Sequence, residues 1–294
     1  MHKMSCTLFL MSEKGYAVIS SICANGFSDK IQFVVSSKDK NVLKDYYDEV
    51  KEKCIEYFIP FYDKSNVPEI LSTYCIAVSW RWIINLNNTK LIVLHDSILP
   101  KYRGFAPLVN MLINNESEIG VTAIFADKDY DKGDMILWKK KEIYYPIKIS
   151  KAIELISDLY SEIVLKILNK IYTGITIDAY PQDEEDASYS LWRDEKDYGI
   201  DWNESSDYIK RFIDSVGFPY KGAYTIYDGR IIRVYDAEVV PDVRIENRCC
   251  GKTLFFEKGL PIVVCGEGLL KLIDVRDDST LEKIDFKKFR IRFQ

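Results

Sequence analysis

Through its first 180 residues the chain alternates short β-branched or apolar runs with segments of helical periodicity, a pattern that few folds can satisfy. Residues 7–11, 31–36, 75–79 and 90–94 read as strands. The last two are uninterrupted apolar runs, as central strands covered on both faces require. Residues 15–24 read as a helix between the first two strands. Residues 41–58 read as a second helix, because Leu43, Tyr47, Val50, Cys54 and Tyr57 recur at steps of three and four. A short helix over 107–114, strands over 120–126 and 135–145, and a long helix over 150–171 complete the segment. Helices between successive buried strands predict crossover connections, and hence an α/β fold with a Rossmann-like, open, parallel-type sheet.

The texture then changes. Residues 182–187 carry four carboxylates in six positions and read as a solvated connection. Beyond them a helix over 204–216 precedes short strands over 223–227, 231–239, 253–256, 261–265 and 269–274, spaced as in a small antiparallel, OB-like β-barrel. The expected division is therefore 1–181 and 182–294, in keeping with 294 residues exceeding what one core usually organises. Gly266, Glu267 and Gly268 read as a tight hairpin, since no helix follows as a phosphate loop would need.

Charge and thiols narrow the function classes. The net charge of −5 falls almost wholly in the second segment, the first being about neutral, which argues against a nucleic-acid partner. No apolar stretch reaches membrane-spanning length, and Ser12, Glu13 and Lys14 interrupt the apolar start, so neither a membrane span nor a signal peptide is expected. Seven cysteines, most in apolar surroundings, fit a reducing cytoplasm. The adjacent Cys249 and Cys250 lack zinc-ligand spacing and no metal is expected.

Only two histidines occur, and with His2 at the start of the chain, His95 stands alone as a base titrating near neutrality. It follows a central parallel strand, where open α/β sheets gather their ligands; the alternative is a histidine that merely caps the strand end. Asp96, beside it, points to the opposite face if the strand alternation continues. Lys101, Tyr102 and Arg103 could hold a phosphate or stack on a ring, or could pack the loop and pair with acids. Trp80 and Trp82, after the preceding central strand, could border a pocket or cover the sheet edge.

The run Ser97-Ile98-Leu99-Pro100-Lys101-Tyr102-Arg103-Gly104, with Ala106-Pro107, Gly120-Val121-Thr122 and Asp131-Lys132-Gly133-Asp134-Met135-Ile136, resembles the signature of the folate-dependent formyltransferases. The 36 residues from His95 to Asp131 match that family's separation. The likeness is densest over 83–136 and extends to Ile200-Asp201-Trp202 and Gly222-Ala223-Tyr224 at the start of the second segment. It implies transfer of a formyl group from N10-formyltetrahydrofolate to an amine, with His95 as acid/base and Asp131 as its partner. Such residue types suit the step: amine attack makes a tetrahedral intermediate that needs proton transfer from nitrogen and support for an oxyanion. The resemblance further implies folate contacts along Trp80, Arg81, Trp82, Ile83, Asp127 and Gly133, and acceptor contacts from Ser97, Lys101, Tyr102, Arg103 and Gly104. One position departs from the pattern: Val93 stands where the family has an asparagine whose amide would steady the formyl oxygen.

Three acceptors occur in such a family. The length disfavours the single-domain purine enzyme, and the acidic second segment disfavours transfer RNA. Tyr189-Ser190-Leu191-Trp192-Arg193 and Gly217-Phe218-Pro219-Tyr220 look more like the sugar N-formyltransferases. The expected acceptor is accordingly the amine of a nucleotide-linked dideoxy amino sugar, and base rates point to a homodimer. A binding relative that holds folate or nucleotide sugar without turnover, and a methionyl-tRNA formyltransferase, are the alternatives.

Overall fold

A computed structural model describes residues 5–86 and 89–294, so His2 lies outside the described residues. They divide into two compact units. The first comprises residues up to Leu108, Ser117–Ile143 and Lys151–Leu191; the second comprises Val109–Glu116, Tyr144–Ser150 and Trp192–Gln294.

Seven strands build the sheet of the first unit. Through residue 190 the elements in chain order are β1 (Cys6–Leu10), α1 (Ser12–Ala24), β2 (Ile31–Ser36), α2 (Tyr47–Glu56), β3 (Phe61–Asp63), β4 (Tyr74–Val78), β5 (Lys90–His95), β6 (Arg103–Gly104), α3 (Pro107–Ile113), β7 (Glu118–Phe125), β8 (Met135–Glu142), α4 (Ile149–Thr173) and β9 (Tyr189–Ser190), of which α3 from Val109 on and the first two residues of α4 fall in the second unit. The sheet order is β3-β2-β1-β4-β5-β7-β8. Its first five strands are parallel, with β1 wholly buried and β4 nearly so, as an interior covered on both faces demands.

The sheet is mixed rather than parallel throughout. β7 runs antiparallel to β5, and β8 antiparallel to β7. Only nine residues join β7 to β8, fewer than the dozen or so a parallel crossover needs, so this pair must return as a hairpin. The second helix is shorter than its apolar spacing predicts. Asp45 Oδ1 accepts the Tyr47 N–H at 3.0 Å, its Oδ2 accepts the Asp39 N–H at 3.0 Å, and Asp39 Oδ1 accepts the Asn41 N–H at 3.0 Å. These carboxylates compete for the backbone and hold 39–46 out of the helix. The three-residue β3 carries too little alternation to be foreseen.

Beneath the sheet, alternation at the end of β5 sends Asp96 toward the helices. Its carboxylate pairs with the buried Lys14 of α1 and accepts the Tyr160 hydroxyl of α4 at 2.5 Å; that hydroxyl also lies 3.2 Å from Leu94 O. Burial, reinforced by Asp96, pushes the Tyr160 hydroxyl well above its usual range and keeps it a donor.

The second unit contains α5 (Ser206–Val216), started by Ser205 Oγ accepting the Tyr208 N–H at 3.2 Å, and five antiparallel strands. These are β10 (Ala223–Tyr227), β11 (Arg230–Val240), β12 (Thr253–Glu257), β13 (Leu260–Val264) and β14 (Leu269–Asp277), in the order β10-β11-β14-β13-β12. Residues 291–294 join the two edges: Ile226 and Gln294 exchange backbone bonds at 2.8 and 3.1 Å, while the Phe293 and Thr253 amides donate to Gly251 O and Ile291 O at 2.8 and 3.0 Å. Closing both edges makes a barrel and removes the unpaired strand faces. Trp202 is buried against Phe293, ring centroids 5.7 Å apart, and donates Nε1–H to Thr225 Oγ1 at 3.0 Å. The turn from Cys265 to Gly268 is a hairpin, its Cys265 N–H donating to Gly268 O at 3.2 Å and Gly268 at φ 77°.

All seven cysteines are free. Burial pushes the thiols of Cys54, Cys75 and Cys265 up to about 12 and raises Cys6 and Cys23 as well, whereas Cys249 and Cys250 are half-buried. Iodoacetamide at pH 8 is therefore expected to alkylate Cys249 and Cys250 of the native protein about a hundredfold or more faster than Cys6, Cys54, Cys75 and Cys265. Peptide mass spectrometry reads the order, and uniform labelling of all seven before unfolding would contradict the buried placement.

Candidate active site

The end of β5 carries the first half of the site. Leu91, Val93 and His95 share one face by alternation, and Val93 packs with Cys75, Ala77, Phe9 and Trp80. His95, 7% exposed, pairs with Thr122 of β7 across the ladder. Its Nε2 lies 2.7 Å from Tyr102 O, and its Nδ1 lies 3.5 Å from Asp131 Oδ1. A carbonyl can only accept, so Nε2 carries the hydrogen and Nδ1 of the neutral ring offers a lone pair toward the carboxylate. The arrangement can take a proton at Nδ1 and leave it facing Asp131.

The second half is the loop between β7 and β8. Asp131 adopts a left-handed backbone at φ 57°, and its Oδ2 accepts the Gly104 N–H at 2.8 Å. One carboxylate thus bridges the loop after β5 and the imidazole at the strand's end. Gly133 follows where a side chain has no room: a Cβ there would stand 1.7 Å from Phe125 O.

Local hydrogen bonds fix the loop after His95. Thr122 Oγ1 donates to Ser97 O at 2.7 Å and accepts the Leu99 N–H at 3.1 Å, while the buried Ser97 hydroxyl donates to Lys101 O at 2.6 Å. The Ser97 side chain is thereby committed to the loop. Tyr102, at φ 60°, donates its N–H to Ser188 Oγ at 2.9 Å, and Gly104, at φ 98°, passes so close to Ser190 that a Cβ would meet its carbonyl oxygen at 2.6 Å. Lys101 is exposed.

Arg103 is fully buried and heavily bonded. Its guanidinium donates to Gln182 Oε1 at 3.0 and 2.8 Å, to both Glu184 oxygens at 2.9 Å, and to Tyr189 Oη at 3.3 Å. The hydrogen-bonded guanidinium holds Glu184 below the usual carboxylate range. Of the two roles open to Arg103 in sequence, the side chain takes up the loop-packing, acid-pairing one. Gln182 and Glu184 fall in the stretch read as a solvated connection, yet they belong with the first unit.

The segment after β4 lies at the same carboxyl edge of the sheet, because β4 and β5 are parallel neighbours. Trp80 meets Phe9 and Trp82 edge-on, at 5.0 and 5.1 Å between centroids, and its buried Nε1 has no hydrogen-bond partner among the described residues. Arg81 pairs with Asp39 at 2.7 Å, and Lys64 sits 3.7 Å above the Trp82 ring. Ile83 is 85% exposed, and Asp127 is exposed with Oδ1 accepting the Lys128 N–H at 2.5 Å. His95, Asp131 and Gly104 are thus brought into direct contact; Trp80 and Val93 share one apolar cluster; Arg81 is engaged elsewhere in the fold. In sequence Thr122 and Ser190 stand only within longer motifs and Gln182 only within the acidic connection, none with a role of its own, and nothing marks Ser188. Among the described residues no group of three or more His, Cys, Asp or Glu side chains gathers as metal ligands, and no helix is long and apolar enough to cross a membrane.

The family described as formyl transferase matches residues 70–162, and its C-terminal domain matches residues 194–287. The methionyl-tRNA formyltransferase of Caldanaerobacter subterraneus subsp. tengcongensis is 32% identical over 209 residues, 71% of this chain and 66% of that protein. The chain belongs to the formyl transferase family. That match spans slightly less than two thirds of the relative's length. In fold, the chain is similar to WlaRD, a sugar 3N-formyl transferase solved with dTDP and 5-N-formyl-THF, at TM-score 0.66 and 19% identity over 92% of this chain and 98% of that one. It is also similar to the N-formyltransferase of Helicobacter canadensis solved with folinic acid and dTDP-3-aminofucose, at TM-score 0.68 and 15% identity over the same shares.

The tight seat of Gly133 gives a direct test. Gly133→Ala is expected to cost about 1–3 kcal/mol through overpacking against the Phe125 carbonyl. Calorimetry should then show a thermal midpoint lower by several degrees, and a midpoint unchanged within one degree would contradict the loop placement.

Proposed function

We propose that this protein transfers the formyl group of N10-formyltetrahydrofolate to the amine of a nucleotide-linked dideoxy amino sugar. The observation that carries the reading is the contact of His95 Nδ1 with Asp131 Oδ1 at 3.5 Å, at the carboxyl edge of a parallel sheet. The amine nitrogen attacks the formyl carbon, the new C–N bond forms, and the bond from that carbon to N10 of the folate breaks. His95 Nδ1 receives the proton released by the attacking nitrogen, Asp131 steadies the resulting imidazolium, and the ring gives that proton to N10 as the carbon–N10 bond breaks, so tetrahydrofolate leaves neutral and His95 is restored. The Gly104 N–H holds Asp131 in place throughout. The aromatic shelf of Trp80 and Trp82 suits the flat pterin of the donor.

Charge supports the sugar acceptor, because the second segment carries the negative excess and would repel a polyanion. The fold likeness to two sugar N-formyltransferases fits the same choice. We further propose a cytoplasmic location, supported by the free thiols, and a homodimer on base rates. A methionyl-tRNA acceptor is the second reading, and a specific feature favours it. Lys287, Arg290 and Arg292 are exposed beside the exposed Phe289 in the otherwise acidic second unit, and the curated relative above is a methionyl-tRNA formyltransferase.

Incubation with 10-formyltetrahydrofolate and a panel of nucleotide-linked amino sugars should release tetrahydrofolate and give a product heavier by one formyl group. His95→Ala is expected to lower that turnover by about 10²–10⁴-fold. Full activity in His95→Ala would end the acid/base assignment. Turnover on methionyl-tRNA, with binding that weakens steeply in salt, would replace the sugar reading. Tight ligand binding without turnover would make the protein a binding relative.

Val93 provides an independent test. A missing oxyanion donor costs about 3–4 kcal/mol. Restoring an amide with Val93→Asn is expected to raise kcat about tenfold or more, and an unchanged or lower kcat in a folded variant would show that another donor already serves the oxygen.

A further inference from the structure

We propose that Gln182 is a positioning residue for the transfer, acting through Asp131; this rests on the formyl-transfer reading above. The Gln182 amide nitrogen donates to Asp131 O at 2.7 Å and to Gly133 O at 2.8 Å, so one side chain clamps both ends of the turn that carries the proposed catalytic carboxylate. Its amide oxygen accepts two hydrogen bonds from Arg103 at 3.0 and 2.8 Å. The fully buried Arg103 is anchored in turn by both oxygens of Glu184 and by the pairing of β6 with β9. The chain of contacts therefore runs from Glu184 through Arg103 and Gln182 to the backbone of Asp131.

The clamp answers a specific need. Asp131 is a non-glycine residue held at φ 57°, a conformation L-residues adopt at a cost. Two charge-supported hydrogen bonds on the carbonyls at and after it can hold that conformation, and with it the carboxylate against Gly104 N–H and His95. Gln182 touches neither His95 nor the Asp131 carboxylate. Its effect reaches the reaction only through where that carboxylate stands.

Gln182→Glu separates the clamp from the anchor. A carboxylate keeps both bonds to Arg103 but cannot donate to the two carbonyls. The variant is expected to stay folded, with a thermal midpoint lowered by the two lost bonds and KM values within threefold, while kcat falls about 10- to 100-fold, the loss expected when a reacting group drifts by roughly an ångström. Gln182→Ala, which loses both contacts, should fall at least as far. Hydrogen exchange gives a second measure: the Gly104 amide, held by Asp131, should exchange at least tenfold faster in Gln182→Glu. Wild-type kcat and unchanged Gly104 exchange in a folded Gln182→Glu, alongside an inactive His95→Ala, would overturn the positioning role and leave the transfer reading intact. A wild-type protein without formyl transfer would overturn the reading, and the positioning role with it.

Discussion

Alternation along a strand sends neighbouring side chains to opposite faces, and at the end of β5 this rule separates two carboxylate environments within a few ångströms of backbone. Asp96 turns toward α1 and α4, where Lys14 and Tyr160 consume its charge and its lone pairs. His95 turns the other way and meets Asp131, a carboxylate that arrives from the loop between β7 and β8. A slip of one residue in the register of β5 would exchange these surroundings: the imidazole would face a buried lysine and the acid would lose its cation. The antiparallel pairing of His95 with Thr122, whose hydroxyl also holds the Ser97–Leu99 turn, opposes that slip. Strand register, loop shape and the proposed chemistry are thus one constraint.

Much of the scaffold was legible in the sequence because its signals are local. Uninterrupted apolar runs marked β4 and β5, and a long periodic segment marked α4, since burial on both faces or along one stripe leaves a pattern in consecutive residues. The antiparallel turn of β7 and β8 was less visible, because a buried strand has the same composition in either direction. The start of α2 was misplaced for a different reason. Leu43 continues the helical spacing, but Asp39 and Asp45 capture backbone amides that a helix would need.

The site divides along the same line. His95 and the loop motif around Asp131 could be read because they lie in compact signatures. Their support could not. Arg103 is separated from Gln182 and Glu184 by some eighty residues, and an arginine in a turn followed much later by an acidic stretch has no spacing rule to connect them. The four carboxylates of 183–186 looked like a solvated link because most such clusters are; the three-dimensional fold selects Glu184 from among them for the buried guanidinium. Selection of this kind depends on distance in space alone.

Val93 bears on how such a site can work at all. Its methyl groups join Cys75, Ala77, Phe9 and Trp80 in an apolar cluster on the face shared with His95, where the family's usual amide would have interrupted that cluster. On the proposed reading valine offers the formyl oxygen no donor, but it also lowers the polarity of the surface beside the imidazole. Lower local polarity strengthens the attraction between a protonated ring and a carboxylate, since the interaction scales inversely with effective dielectric. Proton transfer and oxyanion support are therefore affected in opposite senses by the same side chain. The gain is bounded by the His95–Asp131 separation of 3.5 Å, and the loss by the missing hydrogen bond at about 3–4 kcal/mol. On the proposed chemistry the imidazole and its carboxylate already stand 3.5 Å apart, so a donor added near the formyl oxygen has more to contribute than further adjustment of the pair.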